Sequence, residues 1–484
     1  MQDNTSRRSV LLSAGVALAG GIAANARAVS AGQVGGDEGP PRRWQERVEL
    51  GQYSSLVNAV EDGDGTITVG GALERDTGTQ DPSLFRVDTD GQSVWQRTIA
   101  VDGEFEPADF VSSGDGYVIA GEAPADDGGS EVMLVGVDGE GREQWRETYD
   151  PSGVVETALA GAPREGEGAV FGATYSTQSR LTAWVVAVDG SGGVQWEREF
   201  DTYIVNVPLG LYRDSDGGYL ILGSRRYPSA SVDRDEPYEG WATRLDADGE
   251  TGWNRKFTQR SRDGTSSVQT LWDATETDDG YLLCGYLAPE FSRANARGWG
   301  LAVDGDGASL YSTLILPEGR SNSSFAGVTT YDDSYAFVGT APTADSGVQG
   351  LWMVGVDETL SRRWTRYQTP EATVRVNAVT ELTDGGFAVM GQEAFNGLLA
   401  KFGGDPVETP TPTPTETPTA TVAPSPTETS TATQTAAPTA TRAETARADG
   451  ETTSSDGPGF GVLGTAAALG AGGLLRYGRS RRGE

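Results

Sequence analysis

The chain has no histidine at any of its 484 positions, a single cysteine and, by inspection, only the lysines Lys256 and Lys401. Without imidazole, Ser-His and Cys-His dyads and histidine metal sites are excluded. With one cysteine, no intramolecular disulfide can form in any compartment. Cys284 lies in the apolar run Tyr281-Leu282-Leu283-Cys284-Gly285, where a packed strand thiol is expected rather than a nucleophile. Basic residues are scarce as well: 37 Lys+Arg stand against 70 Asp+Glu, for a formal net charge of −33. Phosphate backbones are gripped by clustered Lys and Arg, so nucleic acid is not an expected partner.

What is present is a repeat. An Asp-Gly-Gly-Tyr-type turn leads into a short apolar strand, then Val-Asp-x-x-Gly, then a strand carrying a tryptophan. Its clearest copy is Asp216-Gly217-Gly218-Tyr219, Leu245-Asp246-Ala247-Asp248-Gly249 and Trp253. The aromatic recurs at Trp44, Trp95, Trp145, Trp196, Trp253, Tyr311 and Trp364, at gaps of 51, 50, 51, 57, 58 and 53. A period in that range with about four short strands per unit marks a propeller blade. Gly and Asp at the turns tolerate the positive φ that hairpins require.

The ends of the repeat are out of phase. The strand at 44–50 precedes any first turn, and the last unit stops at Lys401-Phe402 with no tryptophan strand after it. The predicted fold is therefore all-β, a seven-bladed β-propeller over 42–404 whose N-terminal strand closes the last blade.

Three turns read Asp-x-Asp-Gly: Asp88-Thr89-Asp90-Gly91, Asp246-Ala247-Asp248-Gly249 and Asp304-Gly305-Asp306-Gly307. They leave a Ca²⁺ reading open, although no distal Glu follows at EF-hand spacing and the second carboxylate is optional, since the matching turns read Asp138-Gly139-Glu140-Gly141 and Asp189-Gly190-Ser191-Gly192. Hairpin chemistry is the expectation, with no cofactor. The Asp-x-x-Gly…Trp rhythm also resembles the repeats of PQQ-type quinoprotein propellers. That resemblance implies the fold; the adjacent cysteines of the dehydrogenases are missing here, so PQQ is not expected. Extra length in the fourth and fifth units falls at 224–240 and 258–267, where Arg225, Arg226, Tyr227, Tyr238, Arg260 and Arg262 form a candidate ligand rim for sugars or acidic polymers. Asn322-Ser323-Ser324 is an N-glycosylation sequon in an expected surface loop.

Both termini read as addresses. Arg7 and Arg8 precede an apolar stretch at 13–22 and the small-x-small pattern Ala26-Arg27-Ala28. Residues 1–28 thus resemble a twin-arginine export signal, with a plain secretory signal as the alternative. Residues 406–456 are Thr/Pro-rich and predict a disordered, O-glycosylated stalk. At 458–482, Pro458-Gly459-Phe460 is followed by a short apolar helix segment at 461–475 and a basic end. This tail resembles the PGF-CTERM sorting signal processed by archaeosortase, which implies removal of the helix and attachment to lipid. A retained transmembrane anchor is the alternative. Acidic, arginine-rich, lysine-poor usage resembles the proteomes of extreme halophiles.

Together these features predict a protein on the outer face of the membrane, at or in the S-layer. Its expected partners are the export machinery and archaeosortase during maturation, the membrane through its C-terminus, and a surface glycan or protein ligand. The expected role is a non-catalytic binding or adhesion module. An extracellular enzyme (quinoprotein-like or polysaccharide-active) and a purely structural wall component are the alternatives.

Overall fold

The computed structural model describes residues 39–48 and 54–404, apart from 75–79, 102–104, 126–129, 152–153, 178–179, 227–237, 260–267, 290–294, 318–321, 344–346 and 369. The leader, stalk and sorting segment lie outside the described residues, as do Tyr227, Arg260 and Arg262.

Every described element is a strand. β1 (Arg42–Val48) comes first. β2–β5 (Ser54–Glu61, Ile67–Glu74, Gln80–Val87, Ser93–Thr98) and β6–β9 (Glu106–Ser113, Gly116–Pro124, Ser130–Val137, Glu143–Tyr149) follow. Then come β10–β13 (Val154–Pro163, Ala169–Ser176, Leu181–Val188, Val194–Phe200) and β14–β17 (Val205–Arg213, Tyr219–Arg226, Glu239–Leu245, Thr251–Phe257). β18–β21 (Val268–Thr277, Gly280–Ala288, Arg297–Asp304, Ser309–Ile315) and β22–β25 (Ser324–Tyr331, Ser334–Pro342, Gln349–Val356, Arg362–Gln368) precede β26–β28 (Val374–Glu381, Gly386–Glu393, Asn396–Gly403).

Each group of four is an antiparallel meander. The sheets β10–β13 and β14–β17 touch through one parallel bridge, Leu181 to Val205, and count there as an eight-stranded sheet. The last group has only three strands of its own, and β1 adds to β28 antiparallel, with Arg42 opposite Phe402 and Val48 opposite Gly397. The first strands of successive groups lie against one another from β2 to β26, and β26 lies against β2. This is a β-propeller arrangement, read from the topology itself.

Composition follows position. β19 and β24 are buried on both faces because each sheet is covered by a neighbour on either side, so they read as continuous apolar runs. Outer strands such as β5 alternate, with exposed Val94 and Gln96 flanking the half-buried Trp95. The cores lie between sheets. Leu282 and Cys284 of one pack with Phe325, Phe337 and Trp352 of the next, and Phe325 stacks on Trp352 at 4.7 Å. Leu56, Ile67 and Phe85 pack with Met390 and Leu399, so the last group shares a core with the first. Losing a buried phenylalanine at such a seam costs about 3–5 kcal/mol.

Candidate functional site

The repeated residues first have to be separated from any site, because most of them join sheets. The first Asp of each second turn caps the turn: Asp88 Oδ1 accepts the N–H of Asp90 (3.0 Å) and Gln92 (2.8 Å), and Asp246 Oδ1 those of Asp248 (3.0 Å) and Glu250 (2.8 Å). The Gly has φ +80° at Gly249, where a Cβ would meet the Trp196 ring of the preceding sheet at 2.7 Å. Glycine is thus required twice over, by conformation and by close approach. Trp196 Nε1 donates to Ala247 O (3.1 Å), and Trp253 Nε1 to Gly305 O (2.9 Å). The arginine two residues after the aromatic grips the same turn: Arg198 Nε donates to Gly249 O (2.7 Å) and Arg97 Nε to Glu140 O (2.9 Å). The Asp-x-x-Gly…Trp-x-Arg pattern is therefore a two-pronged joint between adjacent sheets. Among the described residues no group of three or more Asp, Glu or Cys side chains converges as a metal-holding set.

A second joint uses the first turn. Arg244 Nε donates to Asp214 Oδ2 (2.8 Å), and Tyr281 OH of the next sheet donates to the same oxygen (3.0 Å). Asp62, Arg86 and Tyr117 repeat this set, and in the last sheet Lys401 pairs with Asp384 at 2.6 Å. Burial pushes the Tyr117 and Tyr281 phenols up to about 12, so both stay neutral donors.

The axis carries two carboxylates that the sequence reading passed over. Each first strand bulges at its middle, between Pro107 and Asp109 in β6 and between Leu271 and Asp273 in β18. A bulge re-aims the side chain. Asp109 accepts N–H bonds from Phe110 (2.7 Å) and, across to the next sheet, Gly161 (2.6 Å), and from the Asn58 amide (3.0 Å). Asp273 accepts from Ala274 (2.8 Å) and, in the next sheet, Val328 (3.0 Å). Burial pushes Asp109 up to about 6, opposed by those donors. Asp273 is pushed up to about 7 by burial, with the charge of Asp109 adding to the effect. The signal was in the sequence: an aspartate stands inside each of the apolar runs Pro107-Ala108-Asp109-Phe110-Val111 and Leu271-Trp272-Asp273-Ala274.

A raised folded pKa means the stability these two groups contribute is complete below the unfolded value near 4 and is lost as pH rises through about 6 to 7. In molar salt, the melting temperature should fall between about pH 4 and about 7 and level off above that. The slope should flatten in an Asp109→Asn/Asp273→Asn double variant. An unchanged slope would assign the pH dependence to other groups.

The predicted rim lies at the end of the sheets that holds the second-to-third-strand loops and the links between sheets. Arg225 and Arg226 end β15. The Arg225 guanidinium, buried, lies 4.2 Å from the Tyr203 ring centroid and donates through Nη1 to Asn254 Oδ1 (2.9 Å), which also accepts Trp241 Nε1 (3.1 Å). The half-buried Arg226 lies 5.8 Å from the Tyr238 ring centroid. Tyr238 is tied by its backbone to the start of β18, where it accepts the Gln269 N–H at 3.1 Å. The structure therefore brings Arg225, Arg226 and Tyr238 together and adds Tyr203 and Asn254, which sequence spacing did not single out. Asn322 is exposed in the link between β21 and β22 at this same end. Cys284 is fully buried in β19, where its thiol is pushed well up by burial.

No protein-family model matches the chain, and no curated protein matches it. Among solved structures it is similar to the β-propeller domain of the Trilobed protease from Pyrococcus furiosus, at 13% identity and TM-score 0.42 over 72% of this chain and 93% of that one. It is also similar to a protein of unknown function from Dyadobacter fermentans, at 10% identity and TM-score 0.45 over 75% of this chain and 99% of that one. An α-L-arabinanase from Penicillium chrysogenum, complexed with arabinobiose, stands at 9% identity and TM-score 0.41 over 76% of this chain and 96% of that one. Likenesses at this level carry no functional argument.

Proposed function

We propose that the chain is an exported propeller of seven four-stranded blades, closed by β1, held on the outer face of the membrane and acting as a non-catalytic binding module. The observation that carries the binding reading is the half-buried Arg226 set on the Tyr238 ring at the loop-bearing end, while the buried Arg225, on Tyr203 and bonded to Asn254, belongs to the framework beside it. Guanidinium groups preset on aromatic faces suit the carboxylates and ring faces of acidic sugars or polymers, at small cost in side-chain entropy. The axial carboxylates favour binding over hydrolysis. General acid–base chemistry needs carboxyls that reach substrate, whereas Asp109 and Asp273 are engaged by N–H donors of their own and the next sheet.

The segment 29–456, assayed in molar salt against isolated cell envelope and acidic polysaccharides, is expected to bind without releasing product. Arg226→Gln should weaken that binding at least about tenfold, the loss of one charged contact. Release of product from a panel of extracellular polymers would replace this reading with the enzymatic one. Binding that Arg226→Gln leaves unchanged would move the ligand off the rim.

A further inference from the structure

We propose that Asn322 is the acceptor of an N-linked glycan carried on the loop-bearing end of the propeller. The proposal rests on the reading that the chain is exported, because the activated sugar is met on that side of the membrane.

Outside residues 1–28 the chain has seven asparagines, and only Asn322 is followed at the second position by Ser or Thr. Four of the others are built into the framework. Asn58 donates to Asp109 (3.0 Å), Asn206 to Tyr203 O (3.0 Å), Asn377 to Leu56 O (2.7 Å), and Asn254 accepts from Arg225 and Trp241. Asn322 is different. It is exposed, has φ +77° and is held by its backbone, whose N–H donates to Ala296 O at 2.9 Å. Ser323 N–H donates to the same carbonyl at 3.0 Å, its side chain is buried, and its Oγ accepts the Gly298 N–H at 3.3 Å. The turn is thus fixed from inside while the Asn322 amide makes no hydrogen bond among the described residues. Ser324, which supplies the sequon hydroxyl, is the first residue of β22.

Asparagine tolerates the left-handed region better than other non-glycine residues, so this conformation needs no glycan to explain it. What points to modification is an acceptor motif standing where the framework does not use its amide. In the reaction, Nδ2 of Asn322 bonds to C1 of a sugar activated as its lipid-linked phosphate. The C1–O bond breaks, the lipid phosphate leaves with that electron pair, and one amide proton passes to the base of the transferase. No redox change occurs. The product would project from the same end as Arg226 and Tyr238, one sheet further along the chain.

The test is peptide mapping of native protein from the producing cells. Trypsin yields the peptide 321–362, bounded by Arg320 and Arg362. Its mass is expected to rise by at least one hexose, and the gain should vanish in both Asn322→Gln and Ser324→Ala. It should return in Ser324→Thr, which restores the hydroxyl and shows that loss was not caused by misfolding. An unmodified peptide, or one changed only by deamidation, on a chain lacking residues 1–28 would overturn the proposal and leave export standing. An unmodified peptide on a chain that keeps residues 1–28 would overturn both.

Discussion

Removing β1 is expected to do more damage than any single substitution, on the order of 5 kcal/mol or loss of folding altogether. Residues 42–48 complete the edge of the β26–β28 sheet, and the side chains of this strand tie it to two sheets at once. Trp44 Nε1 donates to Thr89 O at 2.8 Å in the first sheet, and the Trp44 ring lies where a Cβ on Gly91 would meet it at 2.7 Å. Arg43 Nε donates to Gly403 O at 3.0 Å, and its Nη2 reaches Gly404 O, where the chain leaves for the C-terminal segment. Arg47 pairs with the buried Glu393 at 3.1 Å and with the exposed Glu371 at 2.9 Å. The second pair should matter little, because exposed ion pairs contribute at most about 1 kcal/mol.

Trp44→Ala alone is expected to cost about 2–3 kcal/mol, toward the lower end for a large aromatic because Trp44 is only half-buried. Tyr311→Ala is the internal control. Tyr311 is 49% exposed, and the turn it would meet carries Leu360 in place of Gly, so its loss should cost under about 1 kcal/mol. Denaturant titration in molar salt, followed by tryptophan fluorescence, separates the cases. Equal losses for the two variants would mean that Trp44 does not close a joint.

The second large effect is expected from salt. Dilution from about 3 M to about 0.1 M monovalent salt should lower the melting temperature by on the order of 10 °C. With a formal net charge of −33, the surface repels itself once the Debye length grows from about 3 Å at 1 M to about 10 Å at 0.1 M. The few cations do little to offset this, because many of them serve the joints. Arg97 and Arg198 reach backbone carbonyls of the next sheet, and Arg244 is committed to Asp214. Bonds to neutral carbonyls lose little in salt, so added salt relieves repulsion without dissolving the joints. A melting temperature that is flat or falls with salt would contradict this.

The sequence made some parts of this structure legible and hid others for a physical reason. Local hairpin chemistry repeats, so the turns at Asp88–Gly91 and Asp246–Gly249, the tryptophan strands and the missing last strand could all be counted. The pairing of β1 with β28 follows that expectation. What a tryptophan touches cannot be counted within one unit, because its acceptor lies about one repeat further on, as Ala247 does for Trp196. The arginine at the second position after the tryptophan, visible at Arg97, Arg198, Arg255 and Arg366, carried the same information and was passed over. Asp109 and Asp273 stood out as aspartates inside apolar runs, but the bulge that re-aims each side chain is not a repeated local pattern. Of the rim, Arg225, Arg226 and Tyr238 meet, whereas Tyr203 joins them from the end of the preceding sheet, which no spacing rule reports.

The central claim, a propeller displayed outside the cell, is tested most directly by where the native chain begins and ends. Intact mass and terminal peptide mapping of membrane-extracted protein should give a chain that starts after Ala28, ends near Pro458–Phe460 and carries added lipid mass. A chain in the cytoplasm that keeps residues 1–28 and runs through to Glu484 would contradict it.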